Sequence, residues 1–77
     1  MLKVAEYERR EEGGKVTRCI YLWDEEKRAL RREENGELLH TIFPIESVPA
    51  PKDGMHPVSY QIAEFAQRMR MHHANTK

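Results

Sequence analysis

The sequence predicts an α+β fold: a three- or four-stranded antiparallel β-meander followed by one C-terminal α-helix packed on one sheet face. Three observations carry this expectation. The segment Val16-Thr17-Arg18-Cys19-Ile20-Tyr21-Leu22-Trp23 is dense in β-branched and aromatic residues, as strands are. Two turn signals, Gly13-Gly14 and Asn35-Gly36, separate extended stretches of chain. Val58, Ile62, Phe65, Met69 and His72 recur at spacings of four, three, four and three, which is one stripe of a helix.

Each element follows in order within a single small domain spanning 1–77. Leu2 to Arg10 is the first extended segment, closed by Glu11-Glu12-Gly13-Gly14-Lys15, where glycines supply the positive φ of a tight turn. Val16–Trp23 is the second strand and Asp24–Lys27 a polar loop. Arg28–Glu34 and Glu37–Phe43 flank Asn35-Gly36, a pair that favours a type I′ turn. An alternative reading makes 24–34 a helix capped by Asp24, but only Ala29 and Leu30 are apolar across its ten residues 25–34. The meander therefore occupies 1–43. Pro44, Pro49, Pro51 and Pro57 mark 44–57 as a proline-rich connection that cannot pair as an inner strand. The helix is expected over 58–73, with Ala63 and Ala66 permitting close approach, and 74–77 as a frayed tail.

Composition narrows the function classes. A chain of 77 residues buries only about 60% of its unfolded surface, too little for a nucleotide-binding α/β fold or a barrel. Lys and Arg number 13 against 13 Asp and Glu, a formal net charge of zero. Nucleic acid held by bulk electrostatics calls for a clear basic excess. One cysteine excludes an internal disulfide and a CxxC motif, and no apolar run approaches the ~20 residues of a membrane helix. A cytoplasmic location is the expectation, with no membrane partner. A small domain without disulfides or a metal often gains stability by oligomerising or by binding a partner.

Strand parity sorts the side chains. With the hairpins so placed, Leu22 is expected opposite Ala29, Tyr21 opposite Leu30, and Leu30 opposite Thr41. One face then collects Ala5, Tyr7, Val16, Ile20, Leu22, Ala29, Leu38 and Ile42. The other collects Cys19 with Leu2, Val4, Tyr21, Trp23, Leu30, Leu39 and Phe43. Both are substantially apolar, whereas a sheet with one solvated face alternates cleanly. One helix covers one face, and parity does not say which. Leu2, Val4, Tyr21, Trp23, Leu30, Leu39 and Phe43 form the candidate protein interface, since an exposed patch of this kind marks a docking surface. Two competing readings would cover that face with the proline-rich connection or with a helical 24–34.

Chemistry is sparse. His40, His56, His72 and His73 lack the spacing of a metal site, and Cys19 reads as a small buried hydrophobe. No nucleophile, base and oxyanion donor assemble, so no catalytic residue, metal, cofactor or small-molecule substrate is assigned. Arg28, Arg31, Arg32, Arg68 and Arg70 are the candidate nucleic-acid contacts. Acids dilute them: 24–37 carries four bases and six acids, and only 64–77 is locally positive, three against one. The expected function is a small non-enzymatic intracellular interaction domain of regulator or inhibitor type, a homodimer or bound to a larger protein partner. A nucleic-acid-binding regulator is the alternative.

Overall fold

A computed structural model describes residues 1–75, with side chains through His72. Strands β1 (Leu2–Arg10), β2 (Val16–Asp24), β3 (Ala29–Glu34) and β4 (Glu37–Pro44) form one antiparallel sheet in the order β1-β2-β3-β4. Helix α1 (Pro57–Asn75) follows and packs on one face of it. The segment 24–34 is loop and strand, not helix. Of the expected tail, Ala74 and Asn75 continue the helix, and 76–77 lie outside the described residues.

Local chemistry explains the turns. Asn35 and Gly36 both hold positive φ, 49° and 85°, the backbone of a type I′ hairpin, and Glu34 pairs Glu37 across it. Asn35 also ties this tip to β2, its Oδ1 accepting from the Arg18 N–H at 2.9 Å and its own N–H reaching the Arg18 carbonyl at 2.9 Å. Between β2 and β3, Asp24 Oδ1 accepts from the Lys27 N–H at 3.2 Å. Arg28 closes that loop with φ 49°, so the loop spans 25–28, one residue later than expected.

That shift corrects the register without changing the faces. Trp23 pairs Leu30 and Leu22 pairs Arg31, a slip of two residues from the expected partners. On β4, three residues (Leu39, His40, Thr41) oppose Arg32 alone, so Leu30 meets Phe43 rather than Thr41. A two-residue slip preserves the side of every side chain. On β1 the outcome differs. Tyr7 pairs Cys19 and Ala5 pairs Tyr21, so Ala5 and Tyr7 join the Tyr21 face instead of the Ile20 face. Val4 is the extra residue of a bulge, which restores the expected parity for Leu2 and Lys3.

The helix settles on the face that carries Trp23. Val4, Trp23, Leu30, Ile45 and Ala66 form the buried core, with Phe43, Val48, Ile62, Phe65 and Met69 packed around it. Phe65 meets the Trp23 ring edge-on at 5.7 Å and 66°, while the Arg28 guanidinium lies 5.6 Å over the same indole. His56 supplies the helix N-terminal cap: the Val58 N–H donates to its Nδ1 at 3.2 Å, with Pro57 in the first turn. Three side chains tie the helix to its surroundings through backbone carbonyls. Gln61 donates to the bulged Val4 carbonyl, Arg28 to the Met69 carbonyl, and Arg70 to the carbonyls of Ile45 and Val48 at 2.7 and 3.0 Å.

Arg70 thereby holds the proline-rich connection, including a 3-10 turn at Ile45–Ser47, on the helix side of the sheet. Ala63 and Ala66 are fully covered, which lets the helix axis approach the strands. Replacing Ala66 by leucine should destabilise the fold by about 1–3 kcal/mol through overpacking. Leucine at the exposed neighbour Gln67 should change stability by less than about 0.5 kcal/mol, with urea unfolding as the readout.

Candidate functional site

The face opposite the helix is the open one. On it stand Ile20 and Leu22 from β2 and Leu38 and Ile42 from β4, with Lys3, Glu6, Arg31 and Glu33 between and beside them. Val16, Leu38 and Ile42 are 40%, 37% and 37% exposed, while Ile20 and Leu22 are half-buried by their neighbours. Among the described residues no element lies over this surface. The molecule measures 16 Å along its shortest axis, enough for the sheet and helix layers alone.

Electrostatics knit the open face laterally. Glu6 receives both Arg18, at 2.7 Å, and Lys3, at 3.1 Å. The Lys3 hydrogen bond, with the charges of Arg18 and Lys3, holds the Glu6 carboxyl below its ordinary range despite an opposing desolvation effect. Arg31 bridges Asp24 at 3.6 Å and donates to the Leu39 carbonyl at 3.2 Å. Glu33 has no ion pair among the described residues.

The expected interface residues are brought together, but largely beneath the helix. Val4, Trp23 and Leu30 are core, Phe43 packs against that core, and Tyr21 and Leu39 are half-buried. Leu2 alone of the set is largely exposed, at the sheet end. The correction has a simple cause: the helix took the face with the larger aromatic groups. The residues left accessible, Val16, Ile20, Leu22, Leu38 and Ile42, are those parity assigned to the other side. Their signal was present in the sequence as an apolar set interleaved with opposite charges.

Beyond the core, the helix-side face carries a second cluster. Tyr7 and Tyr21 stack at 6.4 Å and 17°, and Arg32 sits 5.5 Å from the Tyr21 ring and 6.0 Å from that of Tyr7. Arg32 donates to the Tyr21 hydroxyl at 2.9 Å and to buried Cys19 Sγ at 3.3 Å, and pairs with Glu34 at 2.8 Å. Burial disfavours the Arg32 charge, yet Tyr21, Tyr7 and Cys19 outweigh it and raise its pKa above the ordinary arginine value. An apolar pocket of about 240 Å³ adjoins this cluster, lined by Tyr21, Leu30, Phe43, Val48, Met55 and Ile62 among others.

The candidate nucleic-acid contacts are mostly committed elsewhere. Arg28, Arg31, Arg32 and Arg70 donate to backbone carbonyls or to neighbouring side chains of the protein itself. Arg68 is exposed on the helix. Of the histidines, His56 caps the helix, His40 is exposed on β4, His72 lies near Trp23 and Met69, and the side chain of His73 lies outside the described residues. Among the described residues no three His, Cys, Asp or Glu side chains group as a metal site would require, and no helix is long and apolar enough to cross a membrane.

The fold is thus that of an α+β protein with one helix on a four-stranded antiparallel meander. Comparison with protein-family models, with curated proteins and with solved structures finds no match to the chain.

One titration tests the tyrosine cluster. Burial and then the hydrogen bond with Cys19 raise the Tyr7 hydroxyl pKa, against the pull of Arg32. An acid whose folded pKa is raised binds its proton more tightly when folded, so its contribution is full below the unfolded value of about 10 and is lost as pH rises through the folded value. Urea unfolding from pH 8 to 11 should show stability falling above about pH 10, and Tyr7→Phe should flatten that fall.

Proposed function

We propose that this chain is a small non-enzymatic protein-interaction domain, of the regulator or inhibitor type, that works through its open sheet face. One observation carries the reading: the meander is apolar on both sides, and its single helix takes the Trp23 side. Val16, Leu38 and Ile42 then remain exposed on a surface that no other described element covers. Antiparallel sheets whose second face meets water alternate apolar and polar residues cleanly. β2 does not: its open-face positions read Val16, Arg18, Ile20, Leu22, Asp24. An apolar patch rimmed by charge suits a protein partner.

A nucleic-acid-binding role draws less support, since four of the five candidate arginines each donate at least one hydrogen bond within the chain. Zero net charge weakens it further.

The reading is tested in the native host with a photo-crosslinking residue placed either at Ile42 or at Tyr60 on the helix. The two sites are comparably exposed, 37% and 41%. Covalent protein adducts should form from position 42 and not from position 60. If position 42 yields no adduct of any mass, the open face is not an interface.

A further inference from the structure

The charges of the open face follow a pattern that identifies its occupant. Two neighbouring cross-strand rows lie at its centre. From β1 to β4, one row reads Glu6, Ile20, Glu33, Leu38, and the next reads Lys3, Leu22, Arg31, Ile42. Acid, apolar, acid, apolar thus lies beside base, apolar, base, apolar, strand by strand. One step beyond the first row on β2 is Arg18, and one step beyond the second is Asp24.

Consider a two-fold axis parallel to the sheet and just above its open face, at right angles to the strands and between these rows. It turns a second copy face to face with the first and exchanges the rows while keeping each strand over its own counterpart. Glu6 then meets Lys3 of the other copy, Glu33 meets Arg31, and Arg18 meets Asp24. Ile20 meets Leu22, and Leu38 meets Ile42. Each of these five pairings is opposite in charge or apolar on both sides, with the irregular stretch 39–41 of β4 lying between Leu38 and Ile42. A two-fold parallel to the strands and passing along β2 does the reverse, setting Glu6 over Glu33 and Lys3 over Arg31. The face is therefore complementary to itself in one orientation and repulsive in that other.

We infer that the open face binds a second copy of this chain, sheet on sheet with the strands antiparallel. This rests on the reading of that face as a protein-binding surface and names what it binds. The contact is isologous, as two-fold dimer interfaces are. Sheets packed this way keep their strands within about 30° of alignment, so the pairings nearest the axis on β2 and β3 register best. Glu33, without an ion pair among the described residues, meets Arg31 of the second copy, a guanidinium 14% exposed that also holds Asp24 of its own chain. Zero net charge removes the overall repulsion that opposes self-association.

The test uses purified full-length chains. Wild type should sediment as a dimer at tens of micromolar. Lys3→Glu alone sets Glu6 against an acid of the other copy, and Glu6→Lys alone sets Lys3 against a base, so each should weaken dimerisation about tenfold or more. Mixing the two variants restores both contacts between unlike chains, and a heterodimer of near wild-type affinity should form. Changes confined to ion pairs within one chain produce no such rescue. Circular dichroism verifies that each variant is folded. As a second measurement independent of charge, Leu38→Cys and Ile42→Cys should cross-link faster when mixed than either does alone.

A wild type that stays monomeric at several hundred micromolar, or a mixture no tighter than its components, overturns the second copy as occupant. In the host experiment, an adduct of twice the chain mass supports self-association. Adducts from position 42 of another mass, with a monomeric purified protein, overturn self-association while leaving the interaction reading in place.

Discussion

Trp23 is the group on which the remaining structure depends. It projects from β2, the longest-paired inner strand, and is enclosed by Phe65 from the helix, Arg28 from the loop before β3, and Leu30 from the neighbouring strand. Burying a tryptophan is the largest single apolar gain the chain can make. Once the helix docks there, Arg70 can reach the carbonyls of Ile45 and Val48 and hold the proline-rich connection on the same side. Core, helix and connection all share one face, and the opposite face stays open as a direct result.

Both faces hold ion pairs of unequal exposure. On the helix side, the described ion pair Arg32–Glu34 is enclosed by two tyrosine rings and a thiol, with burial and neighbouring groups acting in opposite directions on the guanidinium. On the open side, Arg31 and Asp24 pair at 14% exposure each, while Glu6 is shared by Lys3 and Arg18 and remains solvated. Exposed pairs of that kind contribute little to stability. Under the proposed reading of this face as a docking surface, such charges act on specificity, biasing which surfaces can meet it and in which orientation. Among the open-face charges, Lys3, Arg18 and Arg31 are balanced by Glu6, Asp24 and Glu33, as the 13 bases of the chain are by its 13 acids.

The bulge at Val4 and the loop ending at Arg28 show where sequence reading stops. Asn35-Gly36 was legible because both residues tolerate positive φ, a local property. Arg28 also holds positive φ, 49°, but an arginine carries no such signal, so the sequence puts the loop one residue early. A bulge is likewise silent in sequence, since its cost and benefit depend on the opposing strand. The five-residue turn 11–15 put Ala5 and Tyr7 on the Tyr21 face, with Tyr7 against Tyr21 and Arg32, and the bulge returned Leu2 and Lys3 to their expected sides. Cys19 was legible as a small buried group, whereas its contact with Arg32 required the register.

The sequence by itself determined the elements, their antiparallel order and the division of most strand residues into two apolar sets. Those features follow from turn chemistry and from the two periods, near 2 and 3.6, of local backbone geometry. Which set the helix covers was decided only by the tertiary structure. Both sets offered apolar surface, and the choice turned on how Trp23, Leu30 and Phe43 fit against Phe65, Ala66 and the Ile45 turn at once. That is a fit among segments distant in the chain, which no periodicity records. It exchanged the roles of the two faces: the aromatic one became core, and the one ruled with acids and bases was left uncovered by any described element.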